Sequence, residues 1–253
     1  MPKFTVISLF PDLINQACRY GVLGRAVEND LVDIAVINPR DYTNDARGTV
    51  DDAPYGGGAG MVMKAEPLRD AINSANAAEM CDEVIYLSPQ GRLAGQEEIA
   101  ELAQNSHTIF LCGRYEGIDQ RIIEHDVTRE LSVGDFVLSG GEFAALCLLD
   151  GVSRLLPGVL GNLESAMHES FQANLLEHPH YTRPAELGDQ TVPAVLMSGD
   201  HGAIARWRRK MSIANTLKKR PELLARGALN KEDQNLIEEI MAENAKIDPK
   251  STE

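Results

Sequence analysis

Two glycine-bounded loops, Leu111-Cys-Gly-Arg-Tyr-Glu-Gly and Val133-Gly-Asp-Phe-Val-Leu-Ser-Gly-Gly, each follow a short apolar run. No other feature constrains the fold as much. Glycine has no Cβ, so backbone amides and carbonyls there can approach a neighbour or a ligand closely. A strand that runs straight into such a loop is how an open α/β sheet builds its ligand crevice. A third turn of the same kind, Ser88-Pro-Gln-Gly, stops the apolar run that starts at Glu83. All three loops fall at the C-terminal ends of expected strands, the edge where open parallel sheets carry ligands. The pattern predicts a small molecule read largely by backbone.

The surrounding periodicity supplies the rest of that sheet. Thr5–Phe10, Leu31–Ile37, Glu83–Ser88, His107–Cys112 and Thr128–Ser132 read as strands. Helices are expected from Pro11 to about Arg19, over Pro67–Ala78, Gln96–Ala103 and Ile118–Glu124, and through the apolar stretch Gly141–Leu156 that Pro157 closes. Alternating strands and helices predict an α/β fold, with a mostly parallel sheet covered by helices on both faces. After Gly161 the texture changes. Residues 162–184 are polar and weakly periodic, and the remainder reads as helices over Ala203–Leu217, Pro221–Arg226 and Lys231–Ala245, the last capped by Asn230. Leu236, Ile237, Ile240 and Met241 would form its apolar face. The expected organisation is a ligand-binding domain over 1–160, a linker over 161–172 and a smaller helical domain over 173–253.

Several function classes are disfavoured. No run approaches the ~18 consecutive apolar residues of a membrane span, and the apolar start is too short for a signal peptide. Cys18, Cys81, Cys112 and Cys147 form no C-x-x-C pair and read as free thiols of a reducing cytosol. His168, His178 and His180 do not repeat at metal-ligand spacing. None of the glycine loops is a G-x-G-x-x-G or Walker sequence. Pro54-Tyr-Gly-Gly-Gly-Ala-Gly lacks the following Lys-Ser/Thr and reads as a lid or substrate loop. The net charge of −14 argues against a polyanion partner, yet Arg206–Arg220 holds seven basic residues and no acidic one. Such a stripe on an acidic protein can grip a nucleic-acid backbone. Trp207, inside it, suits either base stacking or core packing.

Glu116, within a glycine loop, Arg154, at the end of the apolar helix, and Glu169 are the chemical candidates. Arg154 also suits a purely structural role, complementing the helix dipole, and Glu169 reads by default as a solvated carboxylate. These residues come together in a resemblance. Ile7-Ser-Leu-Phe-Pro, Val50-Asp-Asp-Ala-Pro-Tyr-Gly-Gly-Gly, Tyr86-Leu-Ser-Pro-Gln-Gly, Cys112-Gly-Arg-Tyr-Glu-Gly-Ile-Asp, Pro157-Gly-Val-Leu-Gly, His180-Tyr-Thr-Arg-Pro and Arg220-Pro-Glu-Leu-Leu occur in order along almost the whole chain. The sequence resembles the bacterial tRNA (guanine-N1)-methyltransferases that modify guanine 37, members of the knotted SPOUT class.

The resemblance implies a C-terminal trefoil knot in the first domain, which periodicity alone never suggests. It implies S-adenosyl-L-methionine as methyl donor. By position the donor's contacts would be Tyr86, Leu87, Ser88, Pro89, Gln90 and Gly91 on the first loop and Gly113, Tyr115 and Glu116 on the second. Val133, Gly134, Asp135, Phe136, Val137, Leu138, Gly140 and Gly141 would supply the third. It further implies a cytoplasmic homodimer with its active site between subunits, a linker ordered by the donor, and a magnesium ion for which Glu116 and Glu169 are candidates. Guanine N1 must lose a proton before it can attack, which calls for a carboxylate base. The family uses an Asp-Ser-Phe motif; the matching residues here are Glu169-Ser170-Phe171. Glutamate differs from aspartate by about 0.4 in reference pKa but reaches one methylene further, so a compensating backbone shift is expected. Arg154 would stabilise charge on guanine O6. Arg206, Arg208, Arg209, Lys210, Lys218 and Lys219 would grip the tRNA. A knotted enzyme acting on another RNA, and a non-catalytic RNA-binding protein that keeps the fold, are the competing readings.

Overall fold

The computed structural model describes residues 1–161, 169–225, 227 and 229–247. Residues 162–168, which include His168 and most of the expected linker, and Arg226 lie outside that set. The chain divides into two compact units, Met1–Leu163 and Glu164–Glu253.

The first unit is built on five parallel strands: β1 (Lys3–Ile7), β2 (Asp33–Ile37), β5 (Glu83–Leu93), β6 (His107–Cys112) and β7 (Arg129–Ser132), in the order β2-β1-β6-β5-β7. The period-2 alternation of these runs sends side chains to opposite faces. Phe4, Val6, Ile85, Leu87, Phe110 and Cys112 point to one face. They pack there with α1 (Pro11–Ala17), α2 (Gly21–Glu28), α4 (Gln96–Leu102) and α6 (Glu142–Ser153). Ile7, Val84, Tyr86, Ile109 and Leu111 point to the other, against α3 (Ala65–Ala78) and α5 (Gln120–His125). A short antiparallel pair, β3 (Asp51–Asp52) and β4 (Val62–Met63), brackets the glycine-rich segment between them.

Besides the short antiparallel pairs, which fall where the sequence reads as loop or linker, two elements of the first unit depart from the sequence expectation. Residues 21–28 form a helix that the pattern hides, because Gly21 and Gly24 read as breakers. Gly24 is required there: a Cβ at that position would lie 2.5 Å from the Arg19 carbonyl carbon. β5 does not stop at Ser88. It bulges over residues 88–91 and resumes beside β7, with Arg92 and Leu93 opposite Leu131 and Ser132. Ser88-Pro-Gln-Gly is thus a bulge within a strand, of the kind that re-aims side chains beside functional sites.

In the second unit, α8 (His201–Lys219) packs on α10 (Lys231–Ile247) through Ile213, Leu236 and Ile240, with Leu175 against them. Met241 is exposed rather than part of that face. The unit also holds two short strands, β8 (Glu186–Leu187) and β9 (Gln190–Thr191), two one-turn helices, α7 (Ala194–Met197) and α9 (Pro221–Leu224), and a 3-10 turn at Gln172–Asn174. The α10 N-terminus carries a reciprocal cap: Asp233 N donates to Asn230 Oδ1 at 2.8 Å and Asn230 N donates to Asp233 Oδ2 at 3.2 Å. The same Asp233 carboxylate, nearly inaccessible to solvent, receives Arg209 Nε at 2.7 Å and Nη2 at 2.8 Å.

Arg209 holds the Asp233 carboxyl below its ordinary value of 3.8. The folded state therefore takes up this proton less readily than the unfolded chain. The stabilisation is present above the unfolded pKa and is lost as pH falls through the folded one. Asp233→Asn is expected to destabilise this unit by about 1–3 kcal/mol at neutral pH, read by urea denaturation with Trp207 emission. The gap between variant and parent should begin to narrow only as pH falls below about 3.8; a gap that stays constant down to about pH 2 contradicts the assignment.

Candidate active site

The C-terminal edge of the sheet opens into a cleft of about 220 Å³. The β5 bulge, the loop after β6 and the segment between β7 and α6 line it. Of the residues expected on these loops, Tyr86, Leu87, Ser88, Pro89, Gln90, Gly113, Tyr115 and Glu116 line the cleft, as do Val133, Gly134, Phe136, Val137, Leu138, Gly140 and Gly141. Gly91 and Asp135 do not. Gly91 is needed by the sheet instead: a Cβ there would sit 2.5 Å from the Glu130 carbonyl carbon and the Leu131 nitrogen of the neighbouring strand. Leu131, Ser132, Ser139 and Ala144 also line the cleft, as do Arg114 and Gly117 in the loop after β6. Spacing alone singles out none of them.

The loops are locked to one another by backbone. Gly141 N donates to Gly113 O at 3.1 Å, and Gly141 approaches so closely that a Cβ would meet Cys112 Cα at 2.8 Å. Gly113 packs against the Tyr86 phenol, where a Cβ would be 2.8 Å from the ring edge and the hydroxyl. Burial, with Glu130 nearby, pushes the Tyr86 hydroxyl pKa up. Burial likewise pushes the Cys112 thiol well up, so it stays protonated and serves packing. The loop after β6 turns through Tyr115 at φ +58° and Gly117 at φ +131°. It is braced by the strand following the glycine-rich segment: Glu116 N donates to Met61 O, and Met63 N to Gly117 O, each at 3.0 Å. Gly60 leaves room for the Glu116 side chain to lie across it.

A buried charge underlies the cleft. The Glu142 side chain is 0% exposed at the start of α6. Its Oε1 accepts from Ser8 Oγ at 2.8 Å and from Arg114 Nε at 3.3 Å. Its Oε2 lies 3.0 Å from Arg114 Nη2, an ion contact without hydrogen-bond alignment. Arg114 also donates to Ser139 O at 3.1 Å and lies 4.4 Å above the Phe10 ring. One guanidinium therefore joins the second loop, the third loop and the start of α6.

Arg154 lies half-buried at the C-cap of α6. The twelve residues of α6 span about 18 Å, and its other end lines the cleft. Glu169 belongs to the second unit, in a segment held by an unusual turn. Phe171, Ala173 and Asn174 adopt φ of +74°, +52° and +55°. Phe171 N donates to Leu175 O at 2.7 Å, and Glu177 N to Ser170 Oγ at 3.0 Å. Left-handed non-glycine residues cost about 1–3 kcal/mol each and cluster at functional sites. Glu116 and Glu169, the magnesium candidates, fall in different units. Among the described residues, the three-membered group with metal-ligand atoms close together is Glu177, His178 and His180, which contains neither. In the basic stretch, Arg206 pairs with Glu239, Arg209 with Asp233, and Lys210 with Glu239 and Glu243. Arg208, Lys218 and Lys219 are exposed and make no ion pair among the described residues.

Comparison with known proteins agrees along the chain. The family described as tRNA (Guanine-1)-methyltransferase TrmD matches residues 2–226. The chain is 52% identical over 241 residues to a Marinomonas sp. protein, covering 95% of this chain and 96% of that one. It is 53% identical over 243 residues to a Vibrio campbellii protein, covering 95% and 98%. A Klebsiella pneumoniae protein is 52% identical over 241 residues, covering 95% and 94%. All three carry the name tRNA (guanine-N(1)-)-methyltransferase.

The close approach at Gly141 gives a direct test. Gly141→Ala is expected to force α6 away from β6 and to lower stability by about 1–3 kcal/mol, measured by urea denaturation. Gly202→Ala, where a Cβ has only the Asp200 side chain at 3.4 Å within 4 Å among the described residues, serves as the control and should leave the midpoint nearly unchanged.

Proposed function

The chain belongs to the tRNA (guanine-1)-methyltransferase family and is a tRNA methyltransferase, and from that premise we propose that it methylates N1 of guanine 37 using S-adenosyl-L-methionine. The observation that carries this reading is the cleft, where three loops of one sheet edge converge and Gly113, Gly134, Gly140 and Gly141 leave no room for a Cβ. Its lining fits the donor. Loop amides and carbonyls suit the polar atoms of an adenosine and an amino acid, while Leu87, Val133 and Leu138 suit a flat ring. The donor supplies an electrophilic methyl group.

The protein's part is to make guanine a nucleophile. Guanine N1 carries a proton at neutral pH, and Glu169 accepts it while N1 attacks. As the proton leaves, negative charge spreads to guanine O6, where an Arg154 guanidinium stabilises it until N1 takes the methyl group and the charge is discharged. Because α6 holds Arg154 at the end away from its own cleft, this reading takes that guanidinium from the second copy. The left-handed turn after Glu169 supports the expectation of a backbone adjustment for a glutamate where the family uses aspartate. A magnesium ion would require several oxygen ligands. Among the described residues, neither Glu116 nor Glu169 belongs to a group with metal-ligand atoms close together.

A second copy of the chain completes the site in this reading. α6 is apolar almost all round, and such helices are normally covered. Here Phe143 is 53% exposed on α6, and Phe136 and Val137 on the adjoining loop are 57% and 85% exposed. That surface suits a homodimer interface. The connection from β6 to β7, which steps over β5 while the β5 extension pairs with β7, is in keeping with a knotted chain. The substrate implies a cytoplasmic enzyme.

Glu169→Gln should lower methyl transfer on the order of 100- to 10,000-fold. The assay uses labelled S-adenosyl-L-methionine and tRNA bearing guanine 37, with the same tRNA bearing adenine there as control. Near-parental transfer by the variant rules out the base assignment, and equal labelling of both tRNAs rules out the position. Phe143→Asp is expected to convert a sedimenting dimer to monomer; a parent that is monomeric at micromolar concentration ends the dimer reading.

A further inference from the structure

The second unit contains a cavity of about 620 Å³ distinct from the sheet-edge cleft. His178, Tyr181, Arg183, Trp207 and Arg208 are among its lining residues. Its volume lies within the roughly 300–1,000 Å³ of ligand pockets. The rings form a connected surface: Trp207 lies 6.4 Å from His178 and 6.3 Å from Tyr181, and His178 lies 4.6 Å from His180. The wall bearing His178 is fixed rather than draped. Leu176 N donates to Thr216 Oγ1 and Asn215 Nδ2 to Glu177 O, each at 2.9 Å, which ties this segment to α8. His180 Nε2 is engaged by Glu177 Oε1 at 2.8 Å.

The charge pattern is selective. Arg206, Arg209 and Lys210 are turned to the acids of α10, whereas Arg208, between them in sequence, lines the cavity with Arg183. On a chain of net charge −14, this rim is cationic beside aromatic faces. Stacking faces combined with arginine form the usual platform for an unpaired base and its phosphate. Burial, and the nearby His180 and Arg208, make His178 harder to protonate, which leaves a neutral imidazole able to accept from a base edge.

The geometry points to a second nucleotide site: the cavity between Trp207, His178 and Tyr181 takes one unstacked base of the bound tRNA, with Arg208 on its phosphate. This rests on the reading of the chain as a tRNA methyltransferase and adds a base contact outside the reaction cleft.

Trp207 is the chain's only tryptophan, so its emission reports on this cavity. The full chain is titrated with a dye-labelled anticodon stem-loop RNA containing guanine 37, following dye anisotropy and Trp207 emission together. Emission should fall with the same midpoint as the anisotropy rises. His178→Ala should weaken binding roughly tenfold. Arg208→Gln, an exposed substitution that leaves packing intact, should flatten the salt dependence by about one phosphate contact. RNA binding with unchanged Trp207 emission, or parental affinity and salt slope in both variants, overturns the site while leaving the methyltransferase reading intact. Absence of any anisotropy change overturns the functional reading and the site with it.

Discussion

The Glu142 carboxylate has no access to water, and the cleft depends on how that charge is satisfied. An ionised carboxylate left alone in a protein interior costs several kcal/mol. Here Ser8, from the end of β1, and Arg114, from the loop after β6, meet it at the first turn of α6. Three segments far apart in sequence are thereby required to be in one place. Buried ion pairs add little net stability against an apolar replacement, but removing one partner is severe. Their effect is to specify an arrangement. The same Arg114 holds Ser139 O, so the arrangement specified is the wall of the cleft itself. With Gly113 and Gly141 in backbone contact directly beside it, there is one way for these loops to close.

That determinant is not legible in the sequence, although its surroundings are. The glycine loops stand out because each follows a strand whose apolar period is clear, and a glycine at a strand end marks a turn or a close approach. Ser88, Gly113, Gly134 and Gly141 accordingly line the cleft at the sheet edge where the pattern puts them. Glu142 reads as an ordinary first-turn acid, since nothing local distinguishes a buried carboxylate from one that complements a helix dipole. Arg114 is in view inside its glycine loop, but the carboxylate it meets is 28 positions away, and Ser8, which shares that carboxylate, is 134 positions from it. Gly91 goes the other way. It looks like part of a ligand turn and is instead the point where β5 and β7 backbones nearly touch. The hidden helix Gly21–Glu28 has a local origin: Gly24 reads as a breaker but is required by the Arg19 carbonyl in the turn that enters the helix.

Charge distribution shows why counting is weaker than placing. Seven basic residues between Arg206 and Arg220 read as a continuous grip, yet at helical spacing they divide among faces. Those on the α10 side find Glu239, Asp233 and Glu243, and these pairs join two helices whose apolar contact is small. Arg220 pairs with Glu222, and the residues left to face a polyanion are Arg208, Lys218 and Lys219. A sequence stripe therefore overstates the available positive surface, and the excess belongs to the internal stability of the unit.

The two halves of the proposed chemistry are built under different rules. The cleft proposed for the donor is framed by loops whose backbones are tied by hydrogen bonds and crowded at Gly113 and Gly141. Backbone recognition tolerates change in neighbouring side chains, which suits a ligand that is the same in every turnover. The proposed base, Glu169, instead stands before three left-handed residues, in a unit whose own core is a handful of side chains. A carboxylate that takes a proton from a nucleobase has to meet that base only when the RNA is bound. Carrying it on the small unit, with a local strain that a bound substrate can compensate, separates substrate-dependent alignment from donor binding. On this reading the exchange of aspartate for glutamate is tolerable for a physical reason. The extra methylene is accommodated in the element whose backbone is least regular, and the sheet edge that positions the donor need not change.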